Sequence, residues 1–201
     1  MYQTVKRLFD VSTSFLLLLL LFPPFLILLI FVCFDVKGSP IYSETRAGHL
    51  GRPIRIFKIR TMFADANNVQ KYLTPVQIDQ WKTERKVVND PRITRLGRLL
   101  RKTSIDELPQ LINVLNGDLS LVGPRAITFS ELKHFKENKR ELLSVKPGIT
   151  GLWQSGARNS AVYETGERQQ IELSYVRNPS LLLDAKIICL TVSAVLRGTG
   201  K

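Results

Sequence analysis

Sulfur and imidazole are scarce in this chain: its 201 residues hold two cysteines and two histidines. Cys33 and Cys189 each lie in an apolar run, so they read as buried thiols in a reducing compartment rather than as a disulfide or a thiolate metal site. His49 and His134 have no metal-ligand spacing and read as surface residues. The glycine-punctuated segments match neither a Walker loop nor a dinucleotide fingerprint, which leaves those nucleotide folds without support. Acidic residues are outnumbered, seventeen against twenty-nine Lys and Arg, for a formal charge of +12. Such an imbalance points to polyanionic partners: phosphates, nucleic acid or an anionic membrane leaflet. The length allows one domain, or one domain plus an anchor, and 44% hydrophobic residues suffice for a core.

Most of the apolar content is in one stretch. Residues 11–34 are almost wholly hydrophobic, long enough to cross a bilayer as one helix. A cleaved signal peptide is disfavoured, because Asp10 precedes the stretch and no small-x-small site follows it. Pro23 and Pro24 divide it into arms 11–22 and 25–34, each about one leaflet deep. Lys6 and Arg7 lie before it, and Lys37, Arg46, Arg52, Arg55, Lys58 and Arg60 after it, so both flanks prefer the cytoplasm. A kinked single span and a helix-break-helix hairpin that returns to the same side both remain open on these grounds.

Beyond the apolar stretch, Ile41-Tyr42-Ser43 and Ile54 to Arg60 alternate with the period of strands, joined by a turn at Gly48 and Gly51-Arg52-Pro53. On the second strand Arg55, Phe57 and Ile59 are expected to point outward. Residues 64–90 form a polar surface excursion, with Pro75 opening a helix and Trp81 as its buried contact. Arg92, Arg95, Arg98 and Arg101 recur every three residues beside Leu96, Leu99 and Leu100, a basic stripe next to an apolar one. Ser130 to Ser144 reads as a charged amphipathic helix. Residues 180–197 are too polar and too short for a confident span and read as an interfacial or core-packing helix.

Chemistry concentrates in Ser104-Ile105-Asp106-Glu107-Leu108-Pro109-Gln110. Two adjacent carboxylates stand between the basic segment and an apolar helical pattern. Asp106 fits as a helix cap, because Glu107 and Pro109 then fall in the first turn, where negative charge meets the dipole and a missing donor is harmless. A carboxylate fixed there also stays ionised, as a nucleophile or metal ligand must, so capping and catalysis are compatible. Arg101, five residues earlier, is a candidate site cation, and Arg125, behind Gly123-Pro124, is held as a phosphate-binding or ion-pairing arginine would be.

Taken in order, Lys6 to Asp10, Gly51-Arg52-Pro53, Phe57 to Met62, Asn89 to Thr94, Ser104 to Gln110, Gly123-Pro124-Arg125 and Pro147 to Gly151 resemble the bacterial sugar transferases, the monotopic phosphoglycosyl transferases that start glycoconjugate assembly. The resemblance implies a mixed, mainly α fold with a small β-hairpin. It also implies a re-entrant membrane helix-break-helix hairpin in residues 1–36, broken at Pro23 and Pro24. A membrane-surface catalytic domain with amphipathic helices would then occupy residues 37–201, on the cytoplasmic face of the bacterial inner membrane. The implied reaction moves a sugar 1-phosphate from a UDP-sugar to polyprenyl phosphate with release of UMP, through a covalent phosphosugar on Asp106. Mg²⁺ is implied as cofactor, with Glu107 as its ligand and a catalytic residue. Arg101, Arg125, Arg158, Lys58 and Arg60 are implied as phosphate-binding residues. No nucleic-acid partner is expected, and a homodimer is left open.

The sequence departs from the family at Phe22-Pro23-Pro24, where Ser-Pro is usual, at Ala126, where a second proline is common, and around Arg158 in Gln154 to Arg158. A non-catalytic, membrane-anchored basic module that binds nucleic acid or anionic lipid is the rival reading. A glycosidase using the two carboxylates as acid and base is disfavoured, since adjacent residues seldom face each other across one bond.

Overall fold

A computed structural model describes residues 2–84, 87, 89–157, 161, 163 and 165–198. The Leu-rich N-terminal run forms one helix, α1 (Tyr2–Val36), of 35 residues with Pro23 and Pro24 inside it. From there the chain passes through β1 (Ile41–Ala47), β2 (Pro53–Ile59), α2 (Val69–Tyr72), α3 (Pro75–Glu84), α4 (Arg95–Thr103) and α5 (Gln110–Asn116). It continues through β3 (Ser120–Val122), α6 (Lys139–Leu142), β4 (Gly148–Thr150), α7 (Glu167–Arg177) and α8 (Leu181–Leu196). Helix predominates, as expected.

Both ends of α1 dock on the same body. At its start, buried Asp10 accepts from the Ser120 hydroxyl at 2.7 Å and the Leu121 amide at 3.2 Å, and Lys6 pairs with Asp184 at 2.9 Å. Arg7 donates to the carbonyls of Val114 and Leu115, the negative end of α5. At its end, Val32 and Val36 are buried with Ile59 and Leu100. Between these anchors Phe15, Leu16, Leu19, Leu20, Phe22 and Leu26 are exposed. Cys33 and Cys189 are exposed as well, contrary to expectation. The apolar runs that carry them present outward faces, so an apolar neighbourhood in sequence is not a protein core here.

The expected hairpin is present: β1 and β2 pair antiparallel from Ile41 opposite Ile59 to Ala47 opposite Pro53. The outward placement of Ile59 is not. Ile59 is buried against α1 and α4, while Ile56 is buried against Val114, Leu119 and Ala126. The strand is covered on both faces, which is why its alternation in sequence is imperfect. β2 also has its free edge closed by a side chain. Asn113, fully buried on α5, accepts from the Phe57 amide at 3.1 Å and donates to the Arg55 carbonyl at 2.7 Å, as a third strand would.

A second sheet was not legible in the sequence. β3 and β4 pair parallel, Ser120 with Gly148 and Val122 with Thr150. Three-residue strands have no readable period, and what joins them is glycine: a Cβ on Gly123 would stand 2.8 Å from the Gly148 amide nitrogen, and one on Gly148 would strike the Gly123 nitrogen. Ser130 to Ser144 is likewise not a single helix. A 3₁₀ segment, Glu131–Asn138, turns at Lys136 (φ 45°) before α6, and the bend lets Leu132, Phe135 and Leu142 enter one core cluster. In the excursion Pro75 does open a helix, and Trp81 is half-buried with the Arg92 guanidinium 5.8 Å from its ring centre. α8 buries Asp184 and Ile187 and leaves Leu182 and Leu196 exposed, 83% and 82%, so it packs on one side and is apolar on the other.

Replacing Asn113 by Ala removes the acceptor of the Phe57 amide and the donor to the Arg55 carbonyl, both part-buried contacts, from a fully buried position. Chemical unfolding of purified Asn113→Ala in detergent is expected to show a loss of about 1–3 kcal/mol.

Candidate active site

The two carboxylates sit in a turn that the neighbouring helices impose. α4 stops at Ser104, which adopts the left-handed conformation (φ 56°, ψ 17°). A non-glycine residue there stores on the order of 1 kcal/mol and is held only by its surroundings. Ile105 then packs with Leu100 and Ile59, and Ile105–Glu107 form one 3₁₀ turn. α5 starts only at Gln110, behind Pro109, without a side-chain cap. The expected helix start at Asp106 is thus corrected. The left-handed Ser104 redirects the chain, and Asp106 and Glu107 occupy a separate tight turn in which Glu107 N–H donates to the Ser104 carbonyl.

Cations converge on this turn from three elements. Lys58 on β2 reaches Glu107 at 3.0 Å, with only 18% and 14% of the two side chains exposed. Arg101 on α4 is half-buried and fixed by its Nε donating to the Thr61 hydroxyl at 2.8 Å. Burial pushes its guanidinium below the usual value, and the Asp106 carboxylate is the strongest influence in the opposite direction. Arg125, beyond β3, lines the same narrow cleft as Lys58, Glu107, Gln110, Arg46, Ala126 and Gly148. The cleft therefore gathers Lys58, Glu107 and Arg125, with Arg101 electrostatically coupled to Asp106. Arg60 is elsewhere: its guanidinium donates to the Ser39 carbonyl at 2.8 Å and stacks on Tyr42. Arg158 lies outside the described residues.

The basic stripe expected on one helix is divided by use. Arg95 and Arg98 face outward, whereas Arg92 precedes α4 and is buried in a two-pronged pair with Asp90, 2.9 and 2.6 Å. Burial acts to raise the Asp90 carboxyl, but its bonds from Arg92 outweigh that and hold it below the ordinary range. This pair fixes the entry to α4, and Thr94 caps the helix by accepting from Gly97 N–H.

Behind Arg125 lies a layer that sequence reasoning missed. Trp153, in a π-helical turn (Trp153–Ala157), has Arg125 5.6 Å and Arg168 3.9 Å from its ring centre. Arg168 also lies 4.0 Å from the Tyr163 ring centre. Arg46 pairs with Glu131 at 3.1 Å, and buried Glu172 accepts from the Arg125 amide. The i,i+4 spacing of Arg168 and Glu172 was the available signal for that pair. Thr61 stood in plain view beside Arg60. Asn113 carried no signal at all.

For a metal, the described residues contain no group of three His, Cys, Asp or Glu side chains. One or two carboxylates fit Mg²⁺, which keeps waters and takes its remaining oxygens from a substrate diphosphate, and do not fit a cation caged by protein alone.

A turn-borne carboxylate pair with guanidinium and ammonium groups nearby, on a body that carries a long exposed apolar helix, has the charge to suit a phosphate-bearing ligand and the length of apolar surface to suit a membrane. The family model for bacterial sugar transferases matches residues 1–198, and the chain belongs to that family, as an enzyme of the transferase class. It is 40% identical to the exopolysaccharide production protein ExoY of Sinorhizobium fredii, over 97% of this chain and 87% of the relative. It is 41% identical to the undecaprenyl-phosphate galactose phosphotransferase of Salmonella typhimurium, covering 98% of this chain and 41% of that protein. The UDP-galactose-lipid carrier transferase of Erwinia amylovora is 41% identical, again over 98% of this chain and 41% of the relative.

Removing Arg92 leaves Asp90 charged and buried, and Arg92→Ala is expected to cost about 3–5 kcal/mol in an unfolding titration. Because the folded carboxyl of Asp90 titrates below its unfolded value of 3.8, its contribution is complete above that pH and is lost as pH falls through the lower folded value. In Asp90→Asn that part of the acid-induced loss should be missing.

Proposed function

We propose that this enzyme transfers a sugar 1-phosphate from a UDP-sugar to polyprenyl phosphate at the cytoplasmic face of the bacterial inner membrane, releasing UMP. The observation that carries the reading is the Asp106-Glu107 turn, held against Arg101, Lys58 and Arg125 on the body that anchors both ends of α1. The names of the relatives, a galactose phosphotransferase and a lipid-carrier transferase, agree with it.

In the first step a carboxylate oxygen of Asp106 attacks the phosphorus next to the sugar. The new O–P bond forms as the bond to the bridging oxygen breaks, and UMP departs with that electron pair. Carboxylate and diphosphate repel each other in water. Arg101 beside Asp106, with Lys58 and Arg125 across the cleft, offsets that repulsion and holds the phosphate oxygens in fixed directions. Glu107 is the residue that would hold Mg²⁺, which would supply charge stabilisation for the leaving group. Lys58 fixes the direction of the Glu107 carboxylate through their 3.0 Å ion pair. In the second step the lipid phosphate oxygen attacks the same phosphorus, the acyl phosphate bond breaks, and the Asp106 carboxylate is regenerated.

The lipid substrate requires the cleft to sit at a membrane surface. A straight helix of 35 residues would reach about 50 Å, yet both ends of α1 contact one body and its middle is exposed. Two consecutive prolines remove two ladder donors at the midpoint. These features support a hairpin that dips into the bilayer and returns, with the outward faces of α8 and Leu99 resting on the same interface.

Asp106→Asn is expected to lower UMP release from a UDP-sugar by roughly 10⁴-fold or more, with no sugar-phosphate adduct on the Asp106 peptide by mass spectrometry. An unchanged rate would refute the proposed nucleophile. In a chain with Cys33 and Cys189 replaced, cysteines placed at Gln3 and Pro40 should both label from the cytoplasmic side. Labelling from opposite sides would require a single span.

A further inference from the structure

The Arg125 loop is pinned at three points. Gly123 N–H donates to the Thr150 carbonyl at 2.9 Å, and Gly148 N–H donates to the Pro124 carbonyl at 2.8 Å. Both are neutral bonds of the β3–β4 unit, and tight glycine packing leaves them little freedom. The third is different. The Arg125 amide donates to Oε2 of Glu172 at 3.1 Å, and Glu172 belongs to α7, an element outside that unit.

Glu172 is 1% exposed, and its other oxygen, Oε1, has no hydrogen-bond partner among the described residues. The charged and titratable groups facing it are Arg125 from the loop after β3, Arg168 from its own helix and Glu131 from the segment before α6. Tyr163 closes the cluster by its contact with Arg168. Arg168 is itself 8% exposed and lies between the rings of Trp153 and Tyr163, while Arg125 is over the Trp153 ring too. Two guanidinium groups thus share one aromatic ring. Glu172 is the buried carboxylate that sees both. Without its charge the two guanidinium groups lose their shared counter-ion, Glu131 remaining 3.8 Å from Arg168 alone, and the Arg125 amide loses a charge-assisted acceptor.

We infer that Glu172, resting on the function proposed above, is a positioning residue whose negative charge holds the Arg125 loop in place to receive the diphosphate of the UDP-sugar. Burial pushes the Glu172 carboxyl up to about 7, against the pull of the Arg125 amide, Arg168 and Arg125. The ionised form, which grips the loop, therefore predominates above that pH, and the grip loosens below it. A UDP-sugar diphosphate diester keeps its charge throughout this range, so the change belongs to the protein.

The test compares wild type with Glu172→Gln and Glu172→Asp in kcat/KM for the UDP-sugar between pH 6 and 9. For a two-step transfer this ratio does not depend on the lipid substrate. The expected result is a wild-type ratio that falls several-fold from pH 8 to pH 6, mainly through KM. Glu172→Gln should be low at both ends, with KM raised about tenfold and the pH limb flattened, and Glu172→Asp should regain part of the limb. Thermal unfolding of each variant separates this from simple loss of fold. A Glu172→Gln enzyme that folds and keeps the wild-type pH limb overturns the inference. Should the wild type turn over no UDP-sugar, it is the proposed function that fails. The same comparison is then made with UDP binding followed by tryptophan fluorescence, where equal affinities of wild type and Glu172→Gln at pH 8 overturn the inference.

Discussion

The site depends on one side-chain amide. β2 has β1 on one edge, and on the other Asn113 supplies the donor and acceptor that a third strand would have provided. That contact fixes α5 to the strand at Arg55 and Phe57, one residue from Lys58. Since the carboxylate turn leads directly into α5, holding α5 on β2 also sets Glu107 opposite Lys58. The neighbouring turn is tensioned from the other side by Ser104, whose left-handed backbone is kept by the packing of Leu100 and Ile105. Two helices and a strand therefore converge on a short segment that has no regular structure long enough to hold itself.

A chain of net charge +12 must place buried charge with care. Apart from the local pair of Arg92 with Asp90, it does so through contacts between different elements: Lys6 with Asp184, Asp10 with Ser120 and Leu121, Arg46 with Glu131. Desolvation of an ion costs several kcal/mol unless a partner and hydrogen bonds offset it. These contacts do so while joining α1, α8 and the β3–β4 unit into one body. In the cleft Lys58 and Arg125 stand with the carboxylate of Glu107, while Arg46, which also lines it, is already paired with Glu44 and Glu131. A surplus of cations next to a carboxylate turn is what an incoming diphosphate would need.

The long apolar helix α1 is not an appendage. Its first ten residues contribute Asp10, which holds β3, and β3 runs directly into Gly123-Pro124-Arg125. Near its end Val32 and Val36 are buried with Ile59 and Leu100, the cluster against which Ile105 of the carboxylate turn packs. The exposed apolar surface and the geometry of the cleft are thus carried by the same helix, the first by its middle and the second by its two ends.

Some of this was determined by the sequence alone. The apolar run with its double proline, the hairpin around Gly51-Arg52-Pro53, the helix start at Pro75 and the prominence of Asp106, Glu107, Arg101 and Arg125 all follow from local rules of periodicity, turn chemistry and spacing. Ordered motifs from Lys6 to Gly151 pointed to the family. What local rules do not contain, the tertiary structure decided. Asn113 became a strand surrogate, Ile59 turned inward, β3 met β4 through glycines, Arg60 turned to Ser39 and Tyr42, and Arg168 and Glu172 came to lie behind Arg125. In each of these the deciding partner lies far along the chain, so the energy that fixes the residue appears only when distant segments are brought into contact.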